Sequence, residues 1–392
     1  MEQQEEKTEN INTKRRKQSP SSSKLSSSSI PLDLTLEILS KLPVESVMRF
    51  RCVSKVWSSI TTDPYFISSF KTRPRLLMFY RKGAKLFVFS LSQNPNKNEG
   101  FSYSSSQPID SYHITYPENC CVSDSTESVH GLICFQISTN PIIWSPSMRQ
   151  FLTIRKPQVE SWKETTVFLG YDPNVGKHKL VCMSSLKTCD HCRVLTLGSD
   201  EKSWRMVKTE HTHRPFNGHG TGFNGRCING VLYYQAICGY HRFIMSFDVS
   251  SETSSVITCP WGGDYKVWKM LMMISYEGKL AFVGNIRSGK RIIMWVLEDA
   301  MKSQWRHRHY LPLSHYFGQD LHKQFKLIGI TDDGELIYSP KAVFDYLYII
   351  YVDPKRKTFR RVEDKRIVVD EGSSLDHRPQ YIPNHIETLL SF

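Results

Sequence analysis

The stretch "IPLDLTLEILSKLPVESVMRFRCVSKVWSSI", Ile30 to Ile60, follows a tail of serines and charges. Half of it is apolar, and chains shorter than about 40 residues rarely bury so much apolar surface alone. On a helical wheel, Leu32, Leu36 and Leu39 share one stripe. Leu34, Ile38 and Leu42 fall on nearly the opposite stripe, with Asp33, Glu37, Ser40 and Lys41 in the gap between. A helix apolar on two faces must be covered on both. Pro43 ends it, because the residue before a proline is pushed out of the helical region. Val47, Phe50 and Val53 define a second helical stretch. Ser54 is a candidate N-cap for a third, which carries Val56, Trp57 and Ile60 and ends near Asp63-Pro64. Three short helices cover one another on one side only, so the other stripe needs a separate domain or another protein.

The residues from Ile30 to Phe70 resemble the F-box motif, and specifically the plant F-box proteins with a C-terminal F-box-associated domain. The matching elements are Ile30-Pro31, Leu34, Glu37-Ile38-Leu39, Leu42-Pro43, Arg49 to Lys55, Trp57, Asp63-Pro64 and Phe66. Ile30 departs from the usual leucine by a swap of similar volume. The resemblance implies a partner, because F-box helices dock on the Skp-family adaptor of cullin–RING ubiquitin ligases. By similarity, the adaptor contacts fall on Ile30, Pro31, Leu34, Ile38, Leu39, Leu42, Pro43, Val53 and Trp57. The alternative is a helical piece packed against its own C-terminal domain, and Trp57 suits either a contact or an internal core.

From Leu76 onward, short β-rich runs alternate with turn signals, among them "LFVFSL", "GLICFQI", "GVLYYQAI" and "LYIIYVDP". Many short strands at regular spacing point to an all-β sandwich or barrel-like fold. Polar turns after apolar runs begin near Ser92, Ser145, Ser199, Asp248, Asp299 and Asp353, at separations of 53, 54, 49, 51 and 54 residues. Glycines opening an apolar run, at Gly131, Gly230, Gly278 and Gly334, repeat in part with the same spacing. A period near fifty residues is that of kelch-like propeller blades. The expected fold is therefore α plus all-β: a three-helix F-box, then a mostly antiparallel kelch-like propeller of six or seven blades. The paired glycines and Tyr-Asp signature of a strict kelch repeat are missing, and a pair of non-repetitive β-sandwiches is the alternative. Segments such as "IIWSPSMRQFLTI", "CINGVLYY" and "IIYVDPKRKTFRRV" resemble an F-box-associated domain, which implies target binding. The expected division is a polar tail at 1–29, the F-box at 30–73, the β domain at 74–375 and a C-terminal tail at 376–392.

Other motifs carry less. "CDHC", Cys189 to Cys192, has the spacing of half a zinc site, but no second Cys or His pair completes it; His178, His211 and His213 are near only in number. Two free thiols in a strand-edge loop are the simpler reading. "FNGHGTGFNG", Phe216 to Gly225, lacks the Gly-Lys-Ser/Thr of a phosphate loop and reads as a long turn. "WRHRHYLPLSHY", Trp305 to Tyr316, reads as an outer strand with solvated basic faces. No cofactor motif and no nucleophile–base pair is evident. The run Lys14, Arg15, Arg16, Lys17 is a candidate nuclear import signal or a solvated basic run.

The chain has 392 residues and a net charge of +13. That charge is spread out, with no dense basic stripe to support nucleic-acid binding. No window approaches 18 apolar residues, so no membrane helix is expected. The ten cysteines are scattered as reduced thiols are, and the expected location is nucleus, cytoplasm or both. The resulting expectation is a non-catalytic substrate receptor of a Skp–cullin–F-box ligase, bound through its adaptor to cullin and RING subunits and holding a target on its β domain. Trp261, Trp268, Tyr240 and Arg242 lie in or beside loops suited to such a target. The rival readings are a propeller enzyme and an adaptor-bound scaffold outside any ligase.

Overall fold

The computed structural model describes residues 30–70, 73–93, 110–117, 127–135, 140–199, 203–216, 225–286, 291–312, 315, 324–341, 347–364 and 379–390. Four helices come first: α1 (Leu32–Lys41), α2 (Val44–Phe50), α3 (Lys55–Thr62) and α4 (Pro64–Ser69). Pro43 does end α1, with Leu42 extended at φ −81° and ψ 152°. Three helices were expected. Asp63-Pro64, read as a stop, also starts α4: Asp63 Oδ1 accepts the N–H groups of Tyr65 and Phe66 at 2.8 and 3.2 Å. Proline suits a first helical position because its missing N–H would go unbonded there anyway.

The remaining strands pair antiparallel in five sheets. The first is ordered β24 (Gln380–His385), β1 (Arg75–Lys82), β2 (Lys85–Ser92), β3 (Asp110–Thr115). The second runs β4 (Ser128–Val129), β5 (Leu132–Phe135), β6 (Ile142–Ser145), β7 (Gln150–Thr153). An eight-stranded sheet holds β8 (Thr165–Asp172), β9 (Lys177–Ser184), β10 (Cys189–Thr196), β11 (Arg205–Pro215), β12 (Gly225–Ile228), β13 (Val231–Cys238), β14 (His241–Asp248) and β15 (Ser254–Ile257). After α5 (Tyr265–Met270) come β16 (Leu271–Tyr276), β17 (Lys279–Ile286), β18 (Arg291–Asp299) and β19 (Gln304–Tyr310). The last sheet is β20 (Phe325–Ile330), β21 (Leu336–Pro340), β22 (Leu347–Asp353) and β23 (Thr358–Asp364).

Among the described residues, four sheets are separate four-stranded blades, not the six or seven expected from the period. The other eight strands are continuous because Arg214 and Pro215 of β11 pair with Ile237 and Ala236 of β13. The first strands lie side by side in a ring: β24 beside β4, then β8, β12, β16, β20 and back to β24. Facing sheets bury their apolar side chains between them, as where Leu77, Phe79 and Val88 meet Phe135 and Trp144.

The fifty-residue repeat has a local cause. Asp248, Asp299 and Asp353 each accept backbone N–H groups two or three residues on, and the Ser145 hydroxyl accepts from Met148. Such side-chain turns join the third strand of a unit to its fourth. The glycine marker belongs to another hairpin. His130-Gly131, Asn229-Gly230 and Glu277-Gly278 all have positive φ at both residues, the geometry of two-residue turns that match strand twist.

The expected C-terminal tail at 376–392 is corrected. Gln380–His385 is a strand paired with β1. It supplies the edge that closes the ring, a need that local sequence pattern does not express.

Candidate functional site

The helices share a small core of Leu39, Val44, Val47, Ile60, Phe66, Phe70 and Leu389. Leu389 comes from the far end of the chain. Arg51 clamps it, donating from Nη2 to the carbonyls of Thr61 (2.9 Å) and Leu389 (3.2 Å). An ion pair between Glu45 of α2 and Arg149, in the turn after β6, ties the helices to the second sheet. Arg149 also lies over the Tyr112 ring at 4.4 Å.

This packing divides the expected contact residues. Ile30, Leu34, Ile38 and Val53 are exposed, with Ile38 at 49%. Pro31 and Pro43 are exposed as N-caps of α1 and α2. Leu39 is 1% exposed, so its assignment to the adaptor is corrected: the side chain is internal. Leu42 and Trp57 are half-buried against the same core. Trp57 meets Phe50 edge-on, ring centroids 4.6 Å apart, and its backbone N–H is capped by the Ser54 hydroxyl at 3.1 Å. Leu32 and Val56 are exposed too, and sequence reasoning missed both. Leu32 shares the inward stripe on the wheel but stands in the first turn of α1 and is 56% exposed. Among the described residues, six apolar side chains of this segment are therefore exposed: Ile30, Leu32, Leu34, Ile38, Val53 and Val56. The basic run at Lys14 to Lys17 lies outside the described residues.

A second feature is the channel enclosed by the ring of first strands, a cavity of about 530 Å³. Arg226, Lys269, Met270 and Lys326 line one end; Asn229, Asp332 and Asn384 line the other. Glu127 stands at the cationic end. Its Oε1 accepts the Cys227 N–H at 2.8 Å and its Oε2 is 3.7 Å from Arg226 Nε. Burial pushes its carboxyl up to about 7, against the pull of Arg226 and the Cys227 N–H.

The expected target-face residues also separate. Tyr240 is 96% exposed, whereas Trp268 is 1% exposed and belongs to the interior. Trp261 is half-buried among Trp268, Phe282, Trp295 and Trp305. Cys189 and Cys192 lie on β10, three residues apart on a strand, so they point to opposite faces and cannot share a metal. Among the described residues, no group of three or more His, Cys, Asp or Glu side chains could hold a metal ion, and no helix is long and apolar enough to cross a membrane.

Comparison with known families matches residues 27–69 to the F-box domain and residues 75–386 to the F-box associated beta propeller domain. This chain is an F-box protein of the family with an F-box associated beta propeller. Similar relatives from Arabidopsis thaliana include the putative F-box protein At1g47730, 53% identical over the whole of both chains. The F-box protein At1g48060 is 46% identical over 93% of each, and the putative F-box protein At1g47790 is 45% identical over the whole of both. The F-box protein described here therefore places its family motif on α1 to α4 and its propeller domain on the five sheets. The propeller match ends at 386, which includes β24 and agrees with the corrected boundary.

Proposed function

We propose that this F-box protein is the substrate-recognition subunit of a Skp–cullin–F-box ubiquitin ligase. The observation that carries the reading is the set of apolar side chains Ile30, Leu32, Leu34, Ile38, Val53 and Val56, exposed among the described residues of a matched F-box. Fully burying one such side chain is worth about 1.5–3 kcal/mol; these are already about half buried, so an adaptor covering them gains only part of that per residue, against the cost of association. The β domain then holds a target protein near the conjugating enzyme carried by the cullin and RING subunits. The contribution is positional: tethering raises the effective concentration of a target lysine, and this chain needs no catalytic residue for it. We also read the eight-stranded sheet as two blades fused at the Arg214–Ile237 and Pro215–Ala236 pairs, which makes six units around the channel.

The test is co-purification of the Skp adaptor and cullin with the intact chain and with a Leu34→Asp, Ile38→Asp variant. Both substitutions are exposed and leave the helix core in place. The intact chain should recover both partners and the folded variant neither. Equal recovery by the variant sinks the reading. Leu39→Ala should behave differently, lowering stability by about 2–5 kcal/mol because it hollows a core.

A further inference from the structure

Strand direction sorts the connections of the β domain onto two ends. Arg75 opens β1 opposite His385 at the end of β24, so the helices and the C-terminal segment share one end. The β13–β14 turn and the segment carrying α5 lie at the other, with the cationic mouth of the channel.

At that end α5 is held by its own sequence. Asp264 caps it, accepting the Lys266 N–H at 2.8 Å. Trp268 is driven into the interior against Phe216 and Trp261, ring centroids 5.7 and 6.1 Å away. Tyr265, one turn before Trp268, meets the same Phe216 ring edge-on but stays 39% exposed, and Lys269 and Met270 are exposed beside it. Two cations then gather on one ring: the Arg242 guanidinium is 4.9 Å from the Tyr265 centroid and Lys269 Nζ is 4.4 Å from it. Neither has a carboxylate partner among the described residues, and the buried Nε of Arg242 donates to nothing there. Of the acids nearest these cations, Asp264 is engaged in the helix cap and Glu127 with Cys227 and Arg226. Beside the cations stand exposed Tyr240 and Met270. Arginine and aromatic side chains at such a position dominate binding energy when a partner covers them.

We propose that Arg242, Tyr265 and Lys269, with Tyr240 and Met270 beside them, form the seat for an acidic peptide segment of the target protein. Carboxylates of the segment pair with Arg242 and Lys269, and a neighbouring apolar side chain covers Tyr240 and Met270. The ring prepositions both cations, so their side-chain freedom is already restricted before the segment arrives. The proposal rests on the receptor reading, because it specifies the chemistry by which the β domain holds its target.

The experiment measures fluorescence anisotropy of a labelled peptide repeating Glu-Glu-Leu, and of its Gln-Gln-Leu counterpart, with the full chain. The Glu peptide should bind at least about tenfold tighter at low salt, and added salt should erode the difference. Arg242→Ala and Lys269→Ala should each weaken it by about fivefold to tenfold, a loss typical of interface anchors. Equal binding of the two peptides, or unchanged binding by both variants, overturns the proposal. Lys269 is exposed, so its variant carries the test if Arg242→Ala does not fold. The Leu34→Asp, Ile38→Asp variant should keep peptide binding while losing the adaptor. A failed adaptor test and a failed peptide test are therefore distinguishable.

Discussion

Three titratable side chains set opposing responses to pH: Glu127 just before β4, His178 on β9 and His385 at the end of β24. Burial raises Glu127 to about 7, while burial holds His178 at about 4 and His385 at about 3. His178 Nε2 is 2.8 Å from the Val129 carbonyl and so donates to it; His385 Nδ1 is 2.8 Å from the Ser128 hydroxyl. Folded Glu127 keeps a proton that the unfolded chain gives up above about 4.5, so its contribution to stability falls as pH rises towards 7. The histidines act the other way. The unfolded chain takes up their protons below about 6.5, so stability falls as pH drops towards 4. Burial also lowers His130 and His213 and raises Glu387 and Asp332, so between pH 4.5 and 6.5 four histidines oppose three carboxyls, and acidification should destabilise the protein. Glu127→Gln removes part of the opposing slope, so its melting temperature should fall more steeply than the parent's across that window. An unchanged slope would show that Glu127 is ionised in the folded chain. None of these roles was legible in the sequence, where Glu127, His178 and His385 stand in unrelated segments and burial alone makes them unusual.

At the scale of elements, turn chemistry was readable and turn neighbours were not. Gly131 and Gly83 both have positive φ, +84° and +61°. A methyl group at Gly83 would meet nothing within 4 Å. At Gly131 it would sit 2.5 Å from Thr388 Cγ2 and 2.8 Å from the Ile386 carbonyl, because the C-terminal segment crosses the hairpin there. Gly83→Ala should cost roughly 1–2 kcal/mol for the left-handed backbone alone. Gly131→Ala should cost at least about 1 kcal/mol more, the scale of overpacking. Urea unfolding of the two variants checks this, and equal costs would mean that the crossing segment yields freely. The aspartate turns were visible as a fifty-residue period because each is complete within four residues. The junction of β11 with β13 was not visible, since two backbone pairs leave no side-chain signature.

In the molecule as a whole, the C-terminal segment is the joint. β24 pairs with β1, then the chain runs on past Gly131 to place Leu389 in the helix core beside Arg51. The same segment lines the channel at Gln380 to Asn384. Helices and propeller should therefore unfold together. Leu389→Ala empties part of a seven-residue core and should cost about 2–5 kcal/mol, concentrated on the helices. In calorimetry the parent should give one transition, and the variant an added earlier one from helices that melt first. A single transition in both, displaced equally, would show that Leu389 is not the coupling element.

What the sequence by itself determined is what neighbours along the chain decide: helix starts at Ser54, the stop at Pro43, the aspartate turns and the alternation of short strands. It also determined that α1 is apolar on two faces. Only the tertiary structure decided which face is free. Leu39 turns inward because Val44, Val47 and Leu389 meet it there, while Leu34 and Ile38 stay about half exposed among the described residues. Arg51 and Leu389 are 338 residues apart, and the strands that close the ring, β1 and β24, also come from opposite ends of the propeller domain. Periodicity reports the faces an element presents; contacts at that separation depend on the whole chain having folded.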